Sequence, residues 1–210
     1  MEEARSNLVN TGIYIFEPAV LDLIPDGVEY DIGAQLFPSL VARELPFFAL
    51  NIPFTWIDIG NVRDFWHAHQ EVLSGHYPHI PMHGKEIRPG VWVGLNVSID
   101  WDQGTINGPV YIGSGTRIEA GCKITGPSWI GHGCQIRGGA HVSRSVIFEY
   151  TRIGSHAWLE DMVVCGVYGV DKIGRAVNLA DADLGWIVED ARTRIDQPPD
   201  PGLVGAVRPG

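Results

Sequence analysis

Between residues 87 and 165 aliphatic side chains return at every sixth position. Val93 and Ile99 lead. After a slip of one residue come Ile112, Ile118, Ile124, Ile130, Ile136 and Val142, and after a second slip Ile147, Ile153 and Leu159. Four places after many of these stands a small or branched residue: Val97, Thr116, Cys122, Ser128, Cys134, Ala140, Ala157 and Val163. A period of six suits neither an amphipathic helix nor an alternating strand. It is the signature of a parallel β-solenoid, in which each unit supplies one short strand and one corner. The aliphatic residue points inward and the small residue packs beside it. Glycines such as Gly113, Gly131 and Gly154, each directly after an aliphatic residue, allow tight corner backbone.

Ahead of the solenoid the pattern is that of mixed α/β structure. Leu8 to Phe16 reads as a buried strand. Pro18 stands at the first position of a short helix that Pro25-Asp26-Gly27 stops. Asp31 can cap a second helix carrying Ile32, Leu36, Leu40 and Val41, broken near Pro38. Phe47 to Pro53 and Phe54 to Ile59 read as two further strands. Asn61, with Asp64 three residues on, is a capping pair for a helix from Val62 to about Leu73 that Gly75 ends. The expected organisation is an α/β piece over residues 1–75, a linker over 76–86, a solenoid over 87–190 and a flexible tail over 191–210. Ile173, Val177 and Leu179 are expected to continue the solenoid as an irregular last coil.

Composition narrows the function. A formal net charge of −10 argues against nucleic acid as a partner, since phosphate binding needs clustered Lys and Arg. No run of about 18 apolar residues is present to span a membrane, and the opening MEEARSN does not read as a signal peptide. Cys122 and Cys134 fall on inward solenoid positions and read as packing residues of a reducing, cytoplasmic compartment.

Two stretches of the first module carry a resemblance. One is Asn10-Thr11-Gly12-Ile13-Tyr14 leading to Phe16-Glu17-Pro18. The other is Trp56-Ile57-Asp58-Ile59-Gly60 before the capped helix, with Leu36-Phe37-Pro38 between the two. In this order, with a solenoid after them, they resemble the C-terminal part of the catalytic domain of sugar-1-phosphate nucleotidyltransferases, the NDP-sugar pyrophosphorylases. That family includes mannose-1-phosphate guanylyltransferases, and a left-handed parallel β-helix of hexapeptides follows the catalytic domain in several of its branches. The resemblance implies an α/β nucleotidyltransferase fragment joined to such a β-helix.

The resemblance further implies that Asn10, Thr11 and Gly12 line a sugar-phosphate pocket and that Asp58 helps to hold Mg²⁺. A hard cation takes carboxylate and phosphate oxygens together. The family's reaction is attack by a sugar-1-phosphate oxygen on the α-phosphorus of a nucleoside triphosphate, with release of pyrophosphate. The family's Gly-rich GxGxRLxPxT-like loop and its partner aspartate are absent. The expectation is therefore part of such an enzyme, inactive alone, with the β-helix serving oligomerisation or regulation. Its partners would be NTP and sugar-1-phosphate once a nucleotide-binding half is supplied, and it is expected to form homo- or hetero-oligomers. A non-catalytic regulatory or scaffold subunit is the alternative. A hexapeptide acyltransferase is the third reading, with His132 or His156 at a solenoid corner as general base. His76, His79 and His83 read as a solvated linker, and some of the seven tryptophans as an outer contact surface.

Overall fold

The computed structural model describes residues 8–178 and 188–192. The chain divides into two compact units, Met1–Asp58 and Ile59–Gly210.

The second unit is a parallel β-solenoid of about four turns whose strands stack into three faces, as in a left-handed β-helix. Along the first face the inward column is Val93, Ile112, Ile130, Ile147 and Val164, so successive coils are 19, 18, 17 and 17 residues long. The second face stacks Ile99, Ile118, Ile136 and Ile153. The third stacks Ile106, Ile124, Val142 and Leu159. Three strands six residues apart close one coil, so a six-residue sequence period becomes an 18-residue spatial one. Nearly all of these side chains are buried, with Cys122, Cys134, Ala140 and Ala157 filling the corners of the prism.

The slips in the period have local causes. The extra residue before Ile106 is taken up by a turn in which Asp100 Oδ1 accepts from the amides of Asp102 and Gln103. Two later corners are one residue short, after Val142 and after Leu159. There Arg144 (φ +44°) and Asp161 (φ +55°) adopt the left-handed conformation that a tighter turn requires.

Antiparallel strands finish the solenoid. Lys85–Arg88 pairs with Val91–Val93 at its start. Gly84, at φ +82°, ends the approach to that strand, where a Cβ would meet the Val93 carbonyl oxygen. At the far end the expected irregular coil is not formed. Tyr168–Asp171 and Ala176–Asn178 instead fold back as a meander on Met162–Cys165, and Ile173 is exposed in the turn between them. Asp171 to Gly174 supply the turn of this meander: Asp171 Oδ1 accepts from the amides of Ile173 and Arg175. Val188–Asp190 pairs antiparallel with Thr151–Ile153 on the second face. Leu179, Trp186, residues 1–7 and the expected tail from 193 onward lie outside the described residues.

The first unit carries α1 (Phe37–Ala42), preceded by a 3₁₀ turn at Pro18–Leu23 and a wide π turn at Ile32–Leu36. Asp31 caps the π turn as expected, accepting from Ala34 N–H. The three segments expected as strands, at 8–16, 47–53 and 54–59, belong to no sheet among the described residues. Their apolar side chains are exposed, Ile15 to 98%, Phe48 to 83% and Leu50 to 84%. A strand needs a sheet neighbour for its amides and carbonyls and a layer over its apolar face, and no sheet takes in these segments among the described residues. An aromatic cluster ties them to α1: Tyr14 meets Phe37 edge-on at 5.0 Å, and Phe37 lies 4.8 Å from Phe47.

The helix expected before the linker is α2 (Val62–Leu73). Asn61 Oδ1 accepts from Asp64 N–H at 3.0 Å, and Asn61 Nδ2 returns a bond to the Asp64 carboxylate at 2.7 Å. This helix falls within the solenoid's unit. It packs on the outside of the first face, where Trp66 forms a cluster with Val146 and Val163, joined by Phe65, Trp129 and Phe148.

Candidate functional site

The Asn10–Gly12 stretch forms a side-chain-closed turn. Asn10 Oδ1 accepts from Gly12 N–H at 3.0 Å, and Asn10 Nδ2 donates to the Tyr14 hydroxyl at 2.7 Å. Gly12 takes φ +76°, and no atom stands within 4 Å of where its Cβ would be. The backbone at Gly12 is thus open to close approach, and the amide of Asn10 is pre-oriented with bonding capacity left over. Asn10 and Gly12 are exposed and Thr11 is half-buried.

Asp58 ends the other extended stretch and is exposed. Among the described residues no group of three or more His, Cys, Asp or Glu side chains converges as a metal site. One carboxylate is nevertheless what a Mg²⁺ held mostly by phosphates and water asks of a protein, so Asp58 fits a shared role and not a self-sufficient site. The turn Ile59-Gly60-Asn61 then leads into α2.

The corner histidines have structural work. His132 Nδ1 accepts the amide N–H of Ser114 at 3.0 Å, which puts the ring proton on Nε2. A ring in that tautomer has no free lone pair for a substrate proton. His156 takes the left-handed corner position at φ +58° and fits against Gly139. His76 bonds Glu71 at 2.8 Å at the surface.

What sequence reading missed is the corner where α2 meets the solenoid. The Trp66 indole N–H donates to the Arg144 carbonyl at 2.7 Å. The Phe65 ring stacks on Phe148 at 5.6 Å, and His69 meets Trp129 edge-on at 5.7 Å. Arg144 in turn holds Asp161 at 2.7 and 3.2 Å and Glu160 at 2.5 Å, and Lys172 reaches the second Asp161 oxygen at 2.7 Å. Burial pushes the Asp161 carboxyl up, but the bonds from Arg144 and Lys172 outweigh it and the net shift is downward. The two shortened corners are therefore stapled to each other. The signal was present: Tyr111 and Trp129 sit mid-strand at outward positions, where a solvated face would be polar.

The chain spans about half the length, or less, of the curated relatives it matches. Residues 2–75 match the Nucleotidyl transferase family model, and residues 106–184 match the GMPPB C-terminal domain model. The chain is 54% identical over 192 residues to a UTP–glucose-1-phosphate uridylyltransferase of Synechocystis sp., covering 91% of this chain and 50% of that protein. It is 36% identical over 193 residues to the mannose-1-phosphate guanylyltransferase catalytic subunit beta of Xenopus tropicalis, covering 88% and 46%. A glucose-1-phosphate adenylyltransferase of Halalkalibacterium halodurans matches at 34% over 77 residues, 34% of this chain and 20% of that protein. With a match to the Nucleotidyl transferase model, a β-solenoid behind it and relatives whose names differ in base and sugar, this chain is similar to part of the sugar-1-phosphate nucleotidyltransferases.

Proposed function

We propose that the chain supplies the sugar-phosphate side and the β-helix of an enzyme that makes NDP-sugar and pyrophosphate from NTP and a hexose 1-phosphate. The observation that carries this reading is the exposure of the extended segments 8–16 and 47–59. They bear Asn10-Thr11-Gly12 and Asp58, and they present apolar side chains that a nucleotide-binding segment would cover. The Asn10 amide and the open backbone at Gly12 suit sugar hydroxyls. Asp58 would share Mg²⁺ with the substrate phosphates, and the ion would neutralise charge as the sugar-phosphate oxygen bonds to the α-phosphorus and pyrophosphate leaves. The β-helix serves oligomerisation or regulation, and the compartment is the cytoplasm, where nucleotide substrates are held.

Pyrophosphate release by this chain supplied with a nucleotide-binding segment, in trans or by fusion, tests the reading. The chain alone should turn over no sugar 1-phosphate. The completed form should be active, and Asp58→Asn should lower its turnover by about 100-fold or more, the scale of losing charge stabilisation at a transferring phosphoryl group. Full activity of the Asp58→Asn form would remove the metal role. Turnover by the chain alone would overturn the division of labour.

A further inference from the structure

The turn at Asn10 fixes the direction of every hydrogen bond along it. The Gly12 N–H can only donate, so the atom of the Asn10 side chain that it meets at 3.0 Å is the oxygen Oδ1. That decides which way round the amide lies and turns Nδ2 toward Tyr14. An amide nitrogen in its turn can only donate, so at 2.7 Å the Tyr14 hydroxyl is the acceptor and its own proton points away from Asn10. No group among the described residues takes that proton, and Tyr14 is 39% exposed. We propose that Tyr14 is a further sugar-binding residue, whose O–H, aimed by the relay from Gly12 through Asn10, donates to one hydroxyl oxygen of the hexose 1-phosphate. The proposal rests on the sugar-side reading of Asn10 and Gly12 above.

Three features carry it, all within the first compact unit. First, the relay leaves two donors side by side for a ligand, the Tyr14 O–H and the second N–H of the Asn10 amide. A sugar hydroxyl has lone pairs to offer to both. Secondly, the ring that carries the hydroxyl is held in place. Tyr14 meets Phe37 edge-on at 5.0 Å and stacks 5.9 Å from Phe16, so the donor is set before a ligand arrives. Thirdly, the other end of the relay is open. No atom stands within 4 Å of where a Cβ of Gly12 would be, so a sugar ring can come up beside the amide that links Gly12 to Tyr14. A donor placed in this way selects for the oxygen that it meets, because a sugar without that hydroxyl leaves the O–H unpaired in the closed site.

Tyr14→Phe keeps the ring and removes only the hydroxyl. In the chain alone, the side-chain amide signals of Asn10 in a ¹⁵N–¹H spectrum should move toward those of a solvated asparagine, with the circular-dichroism melt of the solenoid unchanged. In the completed enzyme, assayed with glucose 1-phosphate or mannose 1-phosphate, whichever is turned over faster, kcat/KM for the sugar phosphate should fall about five- to tenfold, the scale of one lost hydrogen bond, while KM for NTP stays parental. Among the 2-, 3-, 4- and 6-deoxy analogues, one should be used equally well by the parent and by Tyr14→Phe, because that analogue already lacks the other half of the contact. A loss of the same size with all four analogues would mark a merely structural effect and overturn the contact. Unmoved Asn10 signals in Tyr14→Phe would overturn the relay. Parental kcat/KM in Tyr14→Phe, with Asn10→Ala impaired, would overturn the role of Tyr14 alone. Parental kcat/KM in Asn10→Ala would instead sink the sugar-side reading on which it rests.

Discussion

Replacing Ile130 by aspartate places a carboxyl in the inward column of the first face, between Ile112 and Ile147, where the parent side chain is fully buried. Two costs follow. Losing the burial of an isoleucine removes about 2–3 kcal/mol. The carboxylate would meet only hydrocarbon and small corner residues, so its cheapest state is protonated. Holding an aspartic acid protonated at pH 7, about three units above its ordinary pKa, costs about 4 kcal/mol. Together these reach about 6 kcal/mol, comparable with the whole stability of many domains. Denaturant titration followed by tryptophan fluorescence should show Ile130→Asp unfolded or barely folded at pH 7. Ile130→Val should lose only about 1 kcal/mol. At pH 4.5 the protonation cost falls to about 1 kcal/mol, so the gap between Ile130→Asp and parent should narrow by about 3 kcal/mol. Trp158→Asp, on the outside of the third face, loses the stack on His141 and part of a ring's burial and should cost far less than Ile130→Asp. A soluble Ile130→Asp protein with the parental midpoint at pH 7 would refute the inward register.

Two other outcomes are expected of the chain as it stands. Burial holds the His69 imidazole below its ordinary 6.5, against the opposing hydrogen bond to the Phe65 carbonyl. The unfolded chain therefore takes up the proton first, so the contribution of neutral His69 is present above pH 6.5 and is lost as pH falls below it; a melting series from pH 7.5 to 5 should show this loss, and His69→Phe should flatten it. Burial pushes the Cys134 thiol up to about 11 and raises that of Cys122, while Cys165 is exposed. A thiol reagent at pH 8 should modify one cysteine per native chain and all three in denaturant, and rapid labelling of Cys134 in the native chain would contradict its place in the core.

The sequence by itself determined the solenoid, because a coil of three short strands repeats one local rule. Each inward aliphatic residue needs only its own six-residue unit and the copies above and below, so Ile112 through Leu159 could be placed on the inside by counting. Helix caps were legible for the same reason: Asp31 and Asn61 bond amides three residues away. The family motifs around Asn10 and Asp58 are likewise short runs of chain. Tertiary structure alone decided what non-local partners control. The segments 8–16, 47–53 and 54–59 have strand-like residues, but a strand is completed by a neighbour, and no sheet takes them in among the described residues. Val177 continued the apolar pattern, yet the Asp171–Arg175 turn sent the chain back as a meander. Helix α2 looked like the end of the first module, and its side became clear only when Trp66 met the carbonyl of a residue 78 positions away. No period or spacing encodes that bond, because its acceptor is a backbone atom that any residue could offer, and only the stapled corner of Arg144 and Asp161 brings it within reach of the indole.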